Sequence, residues 1–488
     1  MGIDLGMKTD THVHACCSHN EFSAWHFRYL KQTPVPSNLD QTLLNKIIDK
    51  LALDISKNLD QPVKFQDFLA TKTGPLKQRY CKAAKVIVDN GLIEKKHSKI
   101  KSFIKNERYY EDKAPRLILG RLPEFNILYG RYVAALEKAY FKIPKVTNAD
   151  DFLQTGQKFS RMALNCDYFI ENDFSKYESS QRKLHMHIEC DLNVRAMRYA
   201  GYDNAQIEEY KRLFAMKMEK NVISKNGVNV HFNYCRGSGD MDTSLGNGQL
   251  NCIASTYFKC VNFCPLKYSC KLDGSCCRLH DNLDLIKGDD SVLGIIGPVN
   301  KQLVNTYEHF GFEAKLKVVL CPDKVEFCSG NFINYAPGEY IYTQNLLKVL
   351  KSLHSVINNS IVEAGHLAHY YYSLGYMYKV LYSKLPLFQD IAKMLMSVGK
   401  YYVNPNLVTS YNVLQAFNNA TVYDIEVDHD LTMVSMAIAY DMSIQELLDW
   451  QQRLNTTVLK VPEDQYKRLR NRNSRVLPQL YAMVDAVR

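Results

Sequence analysis

Apolar residues at Leu43, Leu44, Ile47, Ile48 and Leu51 recur at helical spacing and predict an amphipathic helix over 41–53. A second periodic run over 299–310 predicts a helix that stops at Gly311 as its C-cap. From Tyr340 onward the pattern is mostly helical, with Leu346, Leu347, Leu350 and Leu353 on one face. Ser443 with Glu446 makes a capping box before Leu447, Leu448 and Trp450. The middle of the chain reads differently. Residues 103–108 and 113–121 look like two strands of a basic hairpin, and 166–170 like another strand with Asp173 at or just past its end. The stretch 283–296 holds two apolar strands joined by a tight turn at Lys287-Gly288-Asp289-Asp290. These elements predict an α+β chain whose last third is a helical lobe.

The chain has 488 residues and is 46% hydrophobic, enough for a large core in two or three subdomains. Against 51 acidic residues stand 61 Lys and Arg, a formal charge of +10 that is mild for this length, so clustering matters more than the total. The densest cluster runs from Lys95 to Arg121. No apolar run is long enough to span a bilayer, and the N-terminus lacks a signal-peptide pattern. Fourteen scattered cysteines favour reduced thiols in the cytosol.

Candidate chemistry begins at the turn. Two adjacent carboxylates, Asp289 and Asp290, repel unless a cation sits between them, and oxygen ligands on a rigid turn suit Mg²⁺. Gly-Asp-Asp is also an ordinary surface turn, so it needs partners. Asp173 is the nearest in kind, with Glu178 five positions later where a helix through Leu184, Ile188 and Leu192 begins; as the plain alternative, Asp173 caps that helix. A third site is Arg236-Gly237-Ser238-Gly239-Asp240-Met241-Asp242-Thr243, a flexible loop leading into a helix that carries Thr243 and Asn247 one turn apart. In the basic hairpin, Arg116 and Arg121 lie an odd number of residues apart, which puts them on opposite faces of an undistorted strand. Thr73, Gly74, Lys77 and Arg79 are either a solvated basic helix or a rim for a nucleic-acid backbone. Zinc is the less favoured reading of Cys252, Cys260, Cys264, Cys270, Cys276, Cys277 and His280. The same holds for Asp10, His12, His14, Cys16, Cys17 and His19, which read better as a polar arm packed on the body.

In order, the chain offers a basic hairpin, Asp-x4-Glu, Ser-Gly-x3-Thr-x3-Asn, Gly-Asp-Asp, a lysine stretch and Phe-Cys-Ser. This series resembles the viral RNA-dependent RNA polymerases, and most closely the tombusvirus-like and flavivirus-like enzymes of positive-strand RNA viruses. Its carriers are Phe103-Ile104-Lys105, Ala114-Pro115-Arg116, Asn126-Ile127-Leu128-Tyr129-Gly130-Arg131-Tyr132, Gly239-Asp240-Met241 and Phe327-Cys328. One departure is Glu178, where the family usually has Asp. The resemblance implies a right-hand polymerase fold with an antiparallel palm sheet flanked by helices. It would divide into N-terminal arm and fingers (1–165), palm (166–191), a fingers insertion (192–235), palm again (236–334) and a helical thumb (335–488).

The same resemblance implies template-directed nucleotidyl transfer from NTPs to an RNA 3′-hydroxyl. Two Mg²⁺ ions, replaceable by Mn²⁺, would be held by Asp173, Asp289 and Asp290. Lys315, or next Lys317, would protonate pyrophosphate. Lys105, Arg116 and Arg121, with Lys113 nearby, would hold the triphosphate; Glu178, Thr243 and Asn247 would read the ribose, with Ser238 at the nucleotide. Gly239, Cys328 and Ser329 would touch RNA, as would the Thr73–Arg79 rim. Template and nascent RNA, NTPs and other viral replication proteins are the implied partners, and membrane-associated sites in the host cytoplasm the implied location. A reverse transcriptase shares the palm acids but usually presents an aromatic gate in place of the acid–amide pair. A catalytically inactive RNA-binding scaffold is the reading from another class.

Overall fold

The computed structural model describes residues 12–30, 33–91, 94–97, 99–107, 109, 113–266, 269–272, 283–300, 302–353, 359–382, 384–408, 410–420 and 425–466. Its described residues fall into two units, one drawn from 10–148 and 165–319 and the other from 149–164 and 320 onward.

In the first unit, β1 (Ile100–Ile104) and β2 (Leu117–Arg121) form the basic hairpin, antiparallel with Ile104 opposite Leu117. Each buries alternate residues, as period-two strands with one wet face should. The second strand is shorter than 113–121, because Pro115 has no amide to give a ladder. β3 (Tyr168–Ser175) runs past the expected end at residue 170, so Asp173 lies within the strand rather than beyond it and caps no helix. β4 (Glu219–Ser224) joins β1 in parallel, and β5 (Asn229–Asn233) completes the four-stranded order β2-β1-β4-β5. Ala24 and Trp25 of the N-terminal arm are buried against this sheet.

The second sheet, β6-β7-β3-β8, is antiparallel throughout, with β6 (Asp284–Lys287), β7 (Asp290–Ile295) and β8 (Glu313–Val319). Helices Gln41–Ser56, Pro123–Tyr140, Lys183–Tyr199, Asn204–Met218 and Thr243–Phe263 share one core with its apolar residues. The first of these buries Leu43, Leu44, Ile47, Ile48 and Leu51, the face its periodicity predicts. The helix expected over 299–310 is absent among the described residues; only a short turn, Glu308–Phe310, is helical, ended by Gly311 at φ +75°. The reason is local: Asn262 accepts from the Val304 amide and donates to its carbonyl, tying both groups outside any helix.

His185, fully buried in this core, accepts from the Arg182 amide through Nδ1, which leaves Nε2–H to donate to the Phe310 carbonyl. Burial holds its pKa down at about 4 from 6.5. The unfolded chain therefore binds a proton that the folded one refuses, and stability falls as pH drops from 6.5 toward 4. The loss should reach roughly 3 kcal/mol. His185→Gln should flatten that part of a urea-denaturation pH series.

In the second unit, β9 (Glu326–Phe327), β10 (Gly330–Ala336) and β11 (Glu339–Gln344) form an antiparallel sheet, so Tyr340 is in a strand and the helical pattern starts only at Leu346. Helix His429–Tyr440 packs on β10, and helices Leu367–Leu381 and Phe388–Met396 pack on each other. The Ser443–Glu446 capping box forms as the sequence predicts.

Candidate active site

Gly288 and Asp289 are the two loop residues between β6 and β7, since Lys287 pairs with Asp290. Gly288 takes φ +62°, the conformation that a two-residue hairpin turn asks of glycine at its first position. β7 pairs with β3, with Ser291 opposite Asn172, so one further step of the register sets Asp290 opposite Asp173. On its other edge β3 pairs with β8, where Asp173 faces Lys315 and Glu171 faces Lys317. Strand register thus brings Asp173 next to the turn that carries Asp289 and Asp290, more than a hundred residues further along the chain. Asp289 reaches the solvent of the cavity, yet its pKa is raised: enclosure by protein pushes it up, and the Asp173 charge adds to that, while Arg116 opposes. Lys317 is committed to Glu171 at 3.0 Å. Lys315 is exposed beside Asp173.

Asp289 and Asp290 border a cavity of about 400 Å³, whereas Asp173 is not among the residues that line it. The lining is also basic: Lys105, Arg116 and Arg28 belong to it. Glu107 stands between two of them, 2.8 Å from Lys105 and 3.5 Å from Arg116. Burial alone would raise the Glu107 carboxyl, but the Lys105 hydrogen bond and the Arg116 charge outweigh it and hold it below the ordinary range. Arg28 also donates to the Ala114 carbonyl, which ties the N-terminal arm to the hairpin.

Arg121 is a correction. Its side chain is fully buried, bonded to Asp240 at 2.7 Å and to the Lys217 carbonyl, so it cannot hold a triphosphate. The strand alternation had set it on the face opposite Arg116, and β2 has no bulge to reverse that. Lys113 is exposed and lies outside the cavity lining, its carbonyl bonded to His14.

Glu178 sits in a short helix, Tyr177–Ser180, separate from the Lys183–Tyr199 helix it was expected to open. Its carboxylate accepts a short hydrogen bond from the Ser238 hydroxyl. Burial raises its pKa, and Asp289 adds to that against the Ser238 bond. Ser238, Gly239 and Thr243 line the cavity with it. Asn247 does not: it is buried, and its Oδ1 accepts from Gln181 at 2.8 Å. The expected Glu178–Asn247 pairing is thus replaced by Glu178–Ser238 in front and Gln181–Asn247 behind.

The loop expected to be flexible is pinned. Asp240 is bonded to Arg121 and Lys220, and the Leu119 amide donates to the Ser238 carbonyl. Under it lies a buried quartet in which Arg236 and Lys217 each meet both Glu189 and Asp242. Tyr129 donates to Asp242 at 2.6 Å. A Cβ at Gly246 would fall 2.3 Å from the Arg236 guanidinium, so only glycine lets the arginine lie there.

The remaining expectations fall elsewhere. Thr73 precedes helix Gly74–Asn90, whose Lys77 and Arg79 are exposed while Tyr80, Ala83 and Ala84 face the core. Cys328 and Ser329 form the two-residue turn between β9 and β10, both at positive φ. Among the described residues no three His, Cys, Asp or Glu side chains gather to hold a metal. Cys252, Cys260, Cys264 and Cys270 are buried; Asp10, Cys276, Cys277 and His280 lie outside the described residues. In the arm, His12 stacks on Tyr109 and His14 meets the same ring edge-on, the packed role favoured for it. No helix among the described residues is long and apolar enough to cross a membrane.

Sequence reasoning missed Arg28, Tyr29 and Lys176 in the cavity wall, Glu107 bonded to Lys105 and Arg116, and Asn251 behind the turn. Only Glu107, an acid inside a basic run, carried a local signal.

Comparison with known proteins bears on part of this site, since the family match begins after the basic hairpin, Asp173 and Glu178. Residues 189–460 match the family described as viral RNA dependent RNA polymerase. The RNA-directed RNA polymerase of Tobacco necrosis virus (strain D) is 24% identical over 349 residues, covering 67% of this chain and 45% of that protein. That of Maize chlorotic mottle virus is 27% identical over 290 residues, covering 55% of this chain and 27% of that protein. The chain therefore spans less than half the length of these relatives. The family match runs through more than half of the 488 residues, and on that ground the chain belongs to the viral RNA-dependent RNA polymerases.

Proposed function

We propose that this chain copies RNA from an RNA template, joining the 3′-hydroxyl of the growing strand to the α-phosphate of an NTP and releasing pyrophosphate. The observation that carries the reading is the register that sets Asp173 beside the Asp289–Asp290 turn, whose two acids line a cavity together with Lys105 and Arg116. The family and its named relatives support the same reaction. In this reading the two sheets of the first unit belong to fingers and palm, and the three strands and helices of the second unit belong chiefly to the thumb.

The donor set fits Mg²⁺. It consists of carboxylate oxygens on a strand and a tight turn, and the Asp289 carboxyl is raised, first by enclosure and then by the Asp173 charge. When bound, two such ions would stabilise the attacking and leaving oxygens of an in-line displacement. Asp173 and Asp289 would hold them, with Asp290 helping. Lys105 and Arg116 would clamp the triphosphate, exchanging Glu107 for phosphate oxygens. Arg28 adds charge to that wall. Lys315, beside Asp173, would give a proton to the departing pyrophosphate. Other viral proteins and a membrane-associated site in the host cytoplasm belong to the same proposal.

Purified chain with a homopolymer RNA template, with and without primer, should incorporate labelled NTP when Mg²⁺ or Mn²⁺ is added. Absence of incorporation under all these conditions would overturn the reading. A reverse transcriptase would prefer dNTPs in the same assay.

Glu178 and Ser238 would read the ribose 2′-hydroxyl, because a buried acid left without that partner is costly. Glu178→Ala should cut the preference for NTP over dNTP by about 10–100-fold, the worth of a hydrogen bond to a charged group. Asn247→Ala, acting from behind through Gln181, should change it less. The measurement is the ratio of kcat/KM for the two substrates.

A further inference from the structure

Helix Thr243–Phe263 carries Thr243 at the cavity and, two turns further on, Asn251, which is completely buried. The Asn251 amide nitrogen lies 3.1, 3.0 and 3.2 Å from the carbonyl oxygens of Gly288, Asp289 and Asp290. Three consecutive carbonyls of one turn therefore converge on a single NH₂ group, whose two hydrogens they share. The orientation of the amide follows from its other end. Its oxygen accepts from the Ser255 hydroxyl at 2.9 Å and the Ser291 hydroxyl at 3.3 Å, so the nitrogen must face the carbonyls. Ser291 also donates to Asn172 of β3, and Ser255 bonds to Tyr307.

We infer that Asn251 is a positioning residue for the reaction: it fixes the backbone of the acid-bearing turn, and through the turn the placement of Asp289 and Asp290. The inference rests on the polymerase reading for its catalytic consequence, though not for the geometry. The physical case is one of supply and demand for hydrogen bonds. A two-residue turn leaves carbonyls that no ladder can use, and buried carbonyls need a donor. Here one helix supplies that donor through a single side chain, bonded to backbone carbonyls of the turn. The same helix starts at the cavity with Thr243, about 12 Å earlier along its axis. A nucleotide seated against the start of the helix and the acids on the turn are thereby referred to one rigid element. Tyr307, Ser255 and Asn172 hold Asn251 in turn, and none of them lines the cavity.

The test uses Asn251→Asp, which keeps the shape but turns an oxygen toward three oxygens, and Asn251→Ser, which is too short to reach. In both, kcat for templated incorporation should fall by about 10–100-fold, the cost of displacing reacting groups by an ångström or so. The KM for NTP should stay within about threefold, because no group that touches the nucleotide has changed. Hydrogen exchange of the amides in 284–293 should quicken by about tenfold while exchange in β1 and β2 stays as in the parent. Mn²⁺ binding, followed by its electron paramagnetic resonance signal without nucleotide, should weaken in the Ser variant. Unchanged exchange in 284–293 together with unchanged kcat would overturn the inference. So would faster exchange through the whole unit, which would mark Asn251 as general core support. Should the parent chain incorporate nothing, the polymerase reading fails, and exchange and Mn²⁺ binding still decide whether Asn251 holds the turn.

Discussion

Asp289→Ala should leave a chain that folds and still binds RNA but incorporates nucleotide at least about 10³-fold more slowly, and Asp173→Ala should do the same. Both acids serve one charge-stabilising unit, so the double variant should be little worse than either single one. The fold should not suffer. Asp289 sits above its ordinary pKa because it is enclosed and faces Asp173, so removing it relieves repulsion rather than a needed bond. The thermal midpoint of Asp289→Ala in metal-free buffer should equal or exceed that of the parent. Rates come from labelled-nucleotide incorporation, and RNA binding from fluorescence anisotropy. Near-parental incorporation by either variant would remove the active site from this turn.

The opposite pattern is expected one layer deeper. Arg236, Lys217, Glu189 and Asp242 are all essentially buried and balance two positive charges against two negative. Burial raises the Asp242 carboxyl, but Lys217 and Arg236 overcome this and hold it far below the usual range. Arg236→Met removes one cation and leaves two buried carboxylates to share Lys217 alone, a loss of about 3–5 kcal/mol. Urea denaturation of the purified variant reads it directly. Where enough folded protein remains, its NTP dependence should stay near parental, because the quartet lies behind the loop and not in the cavity. A stability loss below about 1 kcal/mol would show that the quartet relaxes or admits water.

These two expectations divide what the chain made legible from what it did not. The acids could be read because strand pattern is local: apolar runs on both sides of Gly288 define a hairpin, and its tip follows. Asp173 was recognisable in kind but misplaced, since nothing local says where β3 ends; its pairing with β7 and β8 extends it to Ser175. Arg121 and Arg116 look alike as charges, and alternation separated their faces without saying which face was buried. That depends on Asp240 and Lys217, more than ninety residues away. Asn251 gave no signal, because an amide in an apolar helix has meaning only beside the turn it meets. Arg28 and Tyr29 belong to an arm whose course is set by packing on a sheet that it does not join.

The central position of β3 has a consequence for synthesis. Its partners β7 and β8 lie more than a hundred residues downstream. While the ribosome makes that intervening stretch, on the order of ten seconds or more, both edges of an apolar strand stay bare. Such an edge is a template for pairing with other chains. Production of this protein should therefore be governed less by the stability of the finished fold than by how well the nascent chain is shielded until residue 319 emerges, and slow, cool expression with ample chaperone should raise the soluble yield.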